Sequence, residues 1–147
     1  MENSRRELAT LLPLLFTAGA AAAAEDKEAI LPSKCYPYDQ LPVKTNPKTH
    51  NETRQVFTGL DHDKYPVDLH ITKLAPGQMP HPQHQHVHEE LVFVREGTLE
   101  VYILETTTRI GPGSVAYVKS NERHGWKNVG NTFAEYFVLA LGRQEKS

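Results

Sequence analysis

The chain has 147 residues, with 16 Lys and Arg against 18 Asp and Glu and a formal net charge of −2. With no basic stripe and no excess of Lys or Arg, it lacks the electrostatic footprint of a nucleic-acid-binding protein. A lone Cys35 excludes an intramolecular disulfide.

The N-terminal residues read as an export signal over 1–24. Arg5 and Arg6 precede a Leu/Ala-rich run over 8–24, which Pro13 interrupts and the charged stretch Glu25-Asp26-Lys27-Glu28 follows. The run is too short and too rich in alanine for a stable membrane span. Its alanine end offers small-x-small cleavage positions, with cleavage expected after Ala22 or Ala24. The twin arginine fits export of a folded protein by the twin-arginine route, and general secretory export fits equally. The expectation is a periplasmic or secreted protein with no membrane span after cleavage. Arg5 and Arg6 offset Glu2 and Glu7, so the mature chain keeps the formal −2. About 120 residues then remain, enough for one compact domain and its core.

Residues 25–52 carry Pro32, Pro37, Pro42 and Pro47 at five-residue intervals. Proline removes backbone donors and favours extended conformations, so this segment reads as an extended arm in which Cys35 is a free thiol. Short β-type runs separated by turns follow, at 53–58, 67–74, 83–87, 91–95, 99–104, 107–110, 114–118, 124–128 and 133–140. Nine strands without a helix predict an all-β domain over 53–142, a closed barrel or a jelly roll, with a short tail at 143–147. Glu96-Gly97 is expected to fold 91–95 and 99–104 into a hairpin. Leu99, Val101 and Ile103 alternate with Glu100 and Tyr102, as in a half-buried strand. The last strand is apolar on both faces, with Phe133, Phe137 and Leu139 opposite Tyr136 and Val138. Such a strand needs cover outside the barrel, from the N-terminal arm or from a second subunit in a homodimer.

The chemistry sits in the middle of the chain. His84-x-His86 is followed by Glu90, and side chains at i and i+2 of a strand share a face. Glu90 keeps their even parity, and His124 lies in a second cluster downstream. Three imidazoles and one carboxylate suit one borderline divalent transition metal such as Mn, Fe, Co, Ni, Cu or Zn. A closed structural zinc site would favour Cys, whereas this set leaves positions open on a five- or six-coordinate ion. Glu90 is then a candidate catalytic base as well as a ligand. Asn128 and Trp126 share the parity of His124. Asn128 is expected to orient an imidazole, and Trp126 to wall the pocket or fill the core. His81 and His88 match no ligand position, and His88 is expected in the turn, on the surface or supporting the ligands. His50, His62 and His70 have no partner pattern. No inward Arg can be assigned, so the sequence advertises no carboxylate or phosphate clamp.

The two clusters resemble the paired motifs of the cupin superfamily. The first runs Gly77, six residues, His84-x-His86, three residues, Glu90, six residues, Gly97. The family pattern is Gly, a short gap, His-x-His, three or four residues, Glu, six residues, Gly. The second runs Gly113, five residues, Lys119-Ser120-Asn121, two residues, His124, three residues, Asn128, where the family has Pro-x-Gly at the central triplet. Asn tolerates positive φ better than other non-Gly residues, so Asn121 can keep the bend that the family makes with Gly. The resemblance spans roughly 67–141 and implies a small single-domain cupin β-barrel that takes small-molecule substrates and often dimerises.

Three readings of function stand at this stage. One is a metalloenzyme acting on a small oxygen-rich compound, as a dioxygenase or a sugar-acid isomerase or lyase. The second is a non-catalytic, metal-dependent module that binds a small sugar-like ligand. The third is a protein that its metal merely stabilises. Mn or Fe is the expected ion if folding precedes export, because Cu and Zn bind the same ligands more tightly and would otherwise displace them.

Overall fold

The computed structural model describes residues 29–142, so the export signal and the tail lie outside the described residues. Nine strands follow one another in chain order. They are β1 (Val43–Thr45), β2 (Glu52–Leu60), β3 (Pro66–Leu74), β4 (Glu89–Glu96), β5 (Leu99–Ile103), β6 (Thr106–Ile110), β7 (Val115–Val118), β8 (His124–Asn128) and β9 (Ala134–Leu141). A single 3-10 turn, Tyr38–Gln40, precedes them among the described residues. Every pairing between these nine strands is antiparallel. One sheet has the order β1-β2-β3-β9-β4-β7 and the other β6-β5-β8. This is the all-β jelly roll that the strand pattern predicts.

Period-two alternation builds the core between the sheets. β4 contributes Val92 and Val94, β5 Leu99 and Val101, and β9 Ala134, Tyr136 and Val138, with Leu74 and Trp126 closing the cluster. Burying each large side chain contributes roughly 1.5–3 kcal/mol. Leu99 and Val101 are buried while Glu100 and Tyr102 face outward, as their alternation implies.

Two local expectations need correction. Residues 83–87 form no strand, only an isolated bridge between His84 and His124. Pro80 and Pro82 just upstream lack N–H donors, so the ladder cannot extend through that side of the bridge. β1, inside the proline-rich arm, makes up the ninth strand by pairing with the start of β2.

Glu96-Gly97 makes no hairpin either. β4 pairs with β7 and β9, whereas β5 pairs with β6 and β8. The turn is therefore a corner that carries the chain from one sheet to the other. Gly97 sits there at φ 81, and a Cβ would lie 2.6 Å from the Cα of Ala134.

The outer face of β9 finds part of its cover in the arm. The Tyr38 hydroxyl donates to Glu135 at 3.0 Å, and the Arg54 and Arg95 guanidinium groups lie 4.6 and 5.4 Å from the Tyr38 ring centre. Ile71 of the same face is buried. Farther across, Phe93, Val115 and Tyr117 stay exposed, and the register pairs them with one another and with Phe137 and Leu91 on that outer face.

The corner at Gly97 generates a direct test. Gly113 has the same backbone sign, φ 82, but nothing within 4 Å of an added Cβ. Gly113→Ala should cost about 1 kcal/mol, the left-handed penalty alone. Gly97→Ala adds a clash with backbone and should cost about 3 kcal/mol or more. Denaturant unfolding of the two variants compares them, and equal losses would refute the corner argument.

Candidate metal centre

Three pieces of chain bring the site together. β4 turns Glu90 inward, on the same face as Val92 and Val94. β8 opens with His124, which is fully buried. The loop bearing His84 and His86 is tied to β8 by reciprocal backbone bonds, His84 N–H to His124 O at 3.0 Å and His124 N–H to His84 O at 2.8 Å. Gly125 permits this approach, because a Cβ there would stand 3.0 Å from the Gln83 side chain. Asn121 takes positive φ, 61, and its N–H donates to the His86 carbonyl at 2.8 Å. The bend expected at that departure from the motif is kept.

The four residues converge. Ligand atoms of His84, His86 and His124 all lie within 4.8 Å of one another. Glu90 Oε2 is 3.3 Å from His124 Nε2, and Oε1 is 3.4 Å from His86 Nε2. The tautomers of two rings follow from their partners. His86 Nδ1 stands 2.9 Å from the His88 carbonyl, and His124 Nδ1 stands 2.8 Å from the Glu122 carbonyl. A carbonyl oxygen only accepts, so both Nδ1 atoms donate, and a neutral ring then presents an Nε2 lone pair to the site.

Those inward atoms have nothing to bond. His84 Nδ1, His86 Nε2, His124 Nε2 and Glu90 Oε2 are all buried without a hydrogen-bond partner. Leaving such a group unpaired costs about 1–3 kcal/mol each, and lone pairs that face a carboxylate repel it. A divalent cation among them satisfies every one, so three imidazoles and a carboxylate could hold a metal ion.

The electrostatics agree. Burial, joined by the neighbouring imidazoles of His81, His124 and His86, pushes His84 down to about 4. Burial also lowers His86. Both rings are therefore neutral near pH 7 and free to ligate. Burial opposes ionisation of Glu90, but the inward N–H that His124 and His88 present when they carry that proton, and His86 in its charged form, outweigh it and hold the carboxyl far below its usual range. His124 is raised, because its contacts with Glu90 and the Glu122 carbonyl exceed its own burial. A proton and a cation thus compete for the same Nε2.

The remaining site residues fall differently. Asn128 does not hydrogen-bond any of the imidazoles, which corrects its expected role. Its amide donates to the carbonyls of Leu74 and Thr132, each at 2.8 Å, and accepts from the Gly130 N–H at 2.9 Å, so it fastens the end of β8 to β3. Trp126 fills the core. It donates to the Tyr136 hydroxyl at 2.8 Å, and lies beside His124 with ring centres 5.9 Å apart. His81 is exposed, edge-on to His84 at 4.2 Å between ring centres.

His88 is the residue that motif spacing overlooks. Its Nε2 is 3.3 Å from Glu90 Oε1, and its ring stacks on His86 with centres 3.5 Å apart. The signal was available in the even spacing of His84, His86, His88 and Glu90.

A family model described as a cupin domain matches residues 70–140. No curated protein matches the chain in sequence. Among solved structures, KdgF from a Halomonas species aligns with a TM-score of 0.66 at 16% identity, over 78% of this chain and 97% of that one. The polyketide cyclase RemF from Streptomyces resistomycificus aligns at 0.61 and 17%, over 78% and 82%. A predicted oxalate decarboxylase from Thermotoga maritima aligns at 0.61 and 19%, over 75% and 100%. At such identities the likeness is one of fold. Paired motifs, two-sheet topology and family match agree on a cupin domain over residues 70–140.

Proposed function

We propose that this protein is an exported small cupin that holds one divalent transition metal through His84, His86, Glu90 and His124 and acts as an enzyme on a small oxygen-rich organic compound. The observation that carries this reading is the set of four buried, unpartnered ligand atoms facing one another. When bound, the metal supplies Lewis-acid polarisation of an oxygen substrate or, as iron, access to dioxygen chemistry. Mn or Fe is the ion proposed, and Ni, Cu and Zn suit the same donors.

The chain's own groups divide the work. The Glu122 and His88 carbonyls hold protons on the outer nitrogens of His124 and His86, keeping their inner nitrogens bare. Glu90 contributes one negative charge and is the group placed to accept a substrate proton. Beyond it the inward face is polar. The row through Glu90 continues across the sheet to Ala140, Asp68 and Thr58. Asp68 takes contacts from Thr58 and Gln55 and from His70 at 3.2 Å. Ala140 is small, so the wall between Glu90 and Asp68 stays low. A low wall edged with hydrogen-bonding groups suits a hydroxyl- or carboxyl-bearing compound, and a dioxygenase or a sugar-acid isomerase or lyase would use it. Fold relatives named as a polyketide cyclase and a predicted oxalate decarboxylase support an enzymatic reading by analogy.

The exposed outer patch of Phe93, Val115 and Tyr117 is read as the face that a second copy covers in a homodimer. Replacing Phe93 and Tyr117 together by Asp should then give a monomer in sedimentation, with the metal retained. A wild-type protein that already sediments as a monomer would remove this part.

Elemental analysis of the mature protein, purified without chelators or a His-tag, tests the site. About one Mn or Fe per chain is expected, falling about tenfold or more in affinity for H84A, H86A and H124A, while H81A stays near wild type. No stoichiometric metal even after reloading would sink the metal site. Glu90→Gln keeps the shape and removes the charge, so metal should persist at weaker affinity while turnover on any substrate found is lost. A small ligand that shifts the metal's spectrum with no turnover in the wild type would make the protein a binding module instead.

A further inference from the structure

His88 contacts two of the proposed ligands at once. Its carbonyl accepts from His86 Nδ1 at 2.9 Å, its ring lies on the His86 ring, and its Nε2 reaches Glu90 Oε1 at 3.3 Å. The side chain is only 13% exposed, and Nδ1 is buried with no partner. The fold thus leaves one nitrogen unsatisfied while seating the other on Glu90.

Proximity alone would also allow His88 to be a ligand, since His86, His88 and Glu90 form a second close triad. Ring geometry argues against it. An imidazole lone pair lies in the plane of its ring, so rings that share an ion must have planes that meet at the ion. His84 and His86 are inclined at 64°, His86 and His124 at 73°, and His84 and His124 at 48°. His86 and His88 are inclined at 8° with centres 3.5 Å apart. Their planes run side by side, and an ion in the plane of His86 would stand well off that of His88.

What His88 does touch is one oxygen of a carboxylate. Oε1 lies 3.3 Å from His88 Nε2 and 3.4 Å from His86 Nε2, while Oε2 lies 3.3 Å from His124 Nε2. An N–H on Oε1 competes with any cation for that oxygen, and such supporting bonds fix how a carboxylate ligates. We propose that His88 is a positioning residue that engages Glu90 Oε1, so that Glu90 meets the metal through Oε2 alone and one coordination position stays open for substrate. This rests on the metal reading above and adds to it the way the open position is maintained.

The test uses the full mature chain and Mn(II) alone as the probe. Electron paramagnetic resonance titration gives stoichiometry and Kd, and water-proton relaxivity reports the open positions. H88F keeps a ring against His86 without a donor, H88A removes both, and H88Q restores an N–H near Oε1. All should bind one Mn(II). H88F and H88A should bind about tenfold or more weakly and lose about one water's share of relaxivity, as Glu90 swings both oxygens onto the ion. H88Q should recover the wild-type relaxivity. Wild-type relaxivity in both H88F and H88A, whatever their Kd, would overturn the proposal and leave His88 as packing. Loss of stoichiometry as complete as in H84A would overturn it too, by making His88 a ligand. Failure of the wild type to bind Mn(II) would instead remove the metal reading itself.

Discussion

A buried carboxylate surrounded by imidazoles is the constraint on which the rest depends. Glu90 is nearly closed off from solvent, and an ionised carboxylate taken out of water without compensation costs many kcal/mol. His88 on one side, and a cation held by the bare nitrogens of His84, His86 and His124 on the other, would supply that compensation, and each group is set by a different local device. β4 fixes the direction of Glu90 through its ladders to β7 and β9. The His84–His124 bridge fixes one ring to the other sheet. The loop backbone orients the rest. Remove any one of these, and a negative charge is left with fewer partners than its burial demands.

The imidazoles are organised by short-range backbone contacts. In both His86 and His124 the ring bonds a carbonyl two residues away. Such bonds cannot form in a flat strand, where carbonyls alternate direction and belong to the ladder. They need the irregular backbone that Pro82 and the Asn121 turn impose. The loop character of 83–87 is therefore part of how the tautomers are set. The same bonds leave the inner nitrogens bare, which makes the cluster receptive to a cation and costly without one.

Much of the architecture was legible because it is written locally. The alternation in Leu99, Val101 and Ile103 needs no knowledge of distant partners, and the structure keeps it. The ligand spacing was also legible, although for a partly different reason than strand parity. His84 and His86 face the site through one bridge and a bent loop. What the sequence hid was long-range. Whether Glu96-Gly97 closes a hairpin depends on Ala134, packed against Gly97 from another part of the chain. Whether Asn128 serves an imidazole depends on carbonyls at Leu74 and Thr132 that compete for its two donors. For His88 the sequence left a surface and a supporting role open, and the start of β4 one residue later is what keeps it beside Glu90.

The packing below the site limits how a substrate can arrive. Directly inward of Glu90 on β4 comes Val92, beside Tyr136, Trp126, Leu99 and Leu74, all nearly inaccessible. Burial raises the Tyr136 hydroxyl far above its usual range, as expected for a dry interior. Tyr136 in turn accepts from Trp126, so neither polar tip is free to bind a ligand there. Approach must come from the other end, where His81 is exposed and His84 and His86 are only partly covered. A compound entering that way meets the imidazole loop first and the low wall at Ala140 next. The barrel therefore works as a closed floor, with its chemistry at the rim. On the proposed function, the loop and the polar row of Asp68 and Thr58 would select the compound, and the core little.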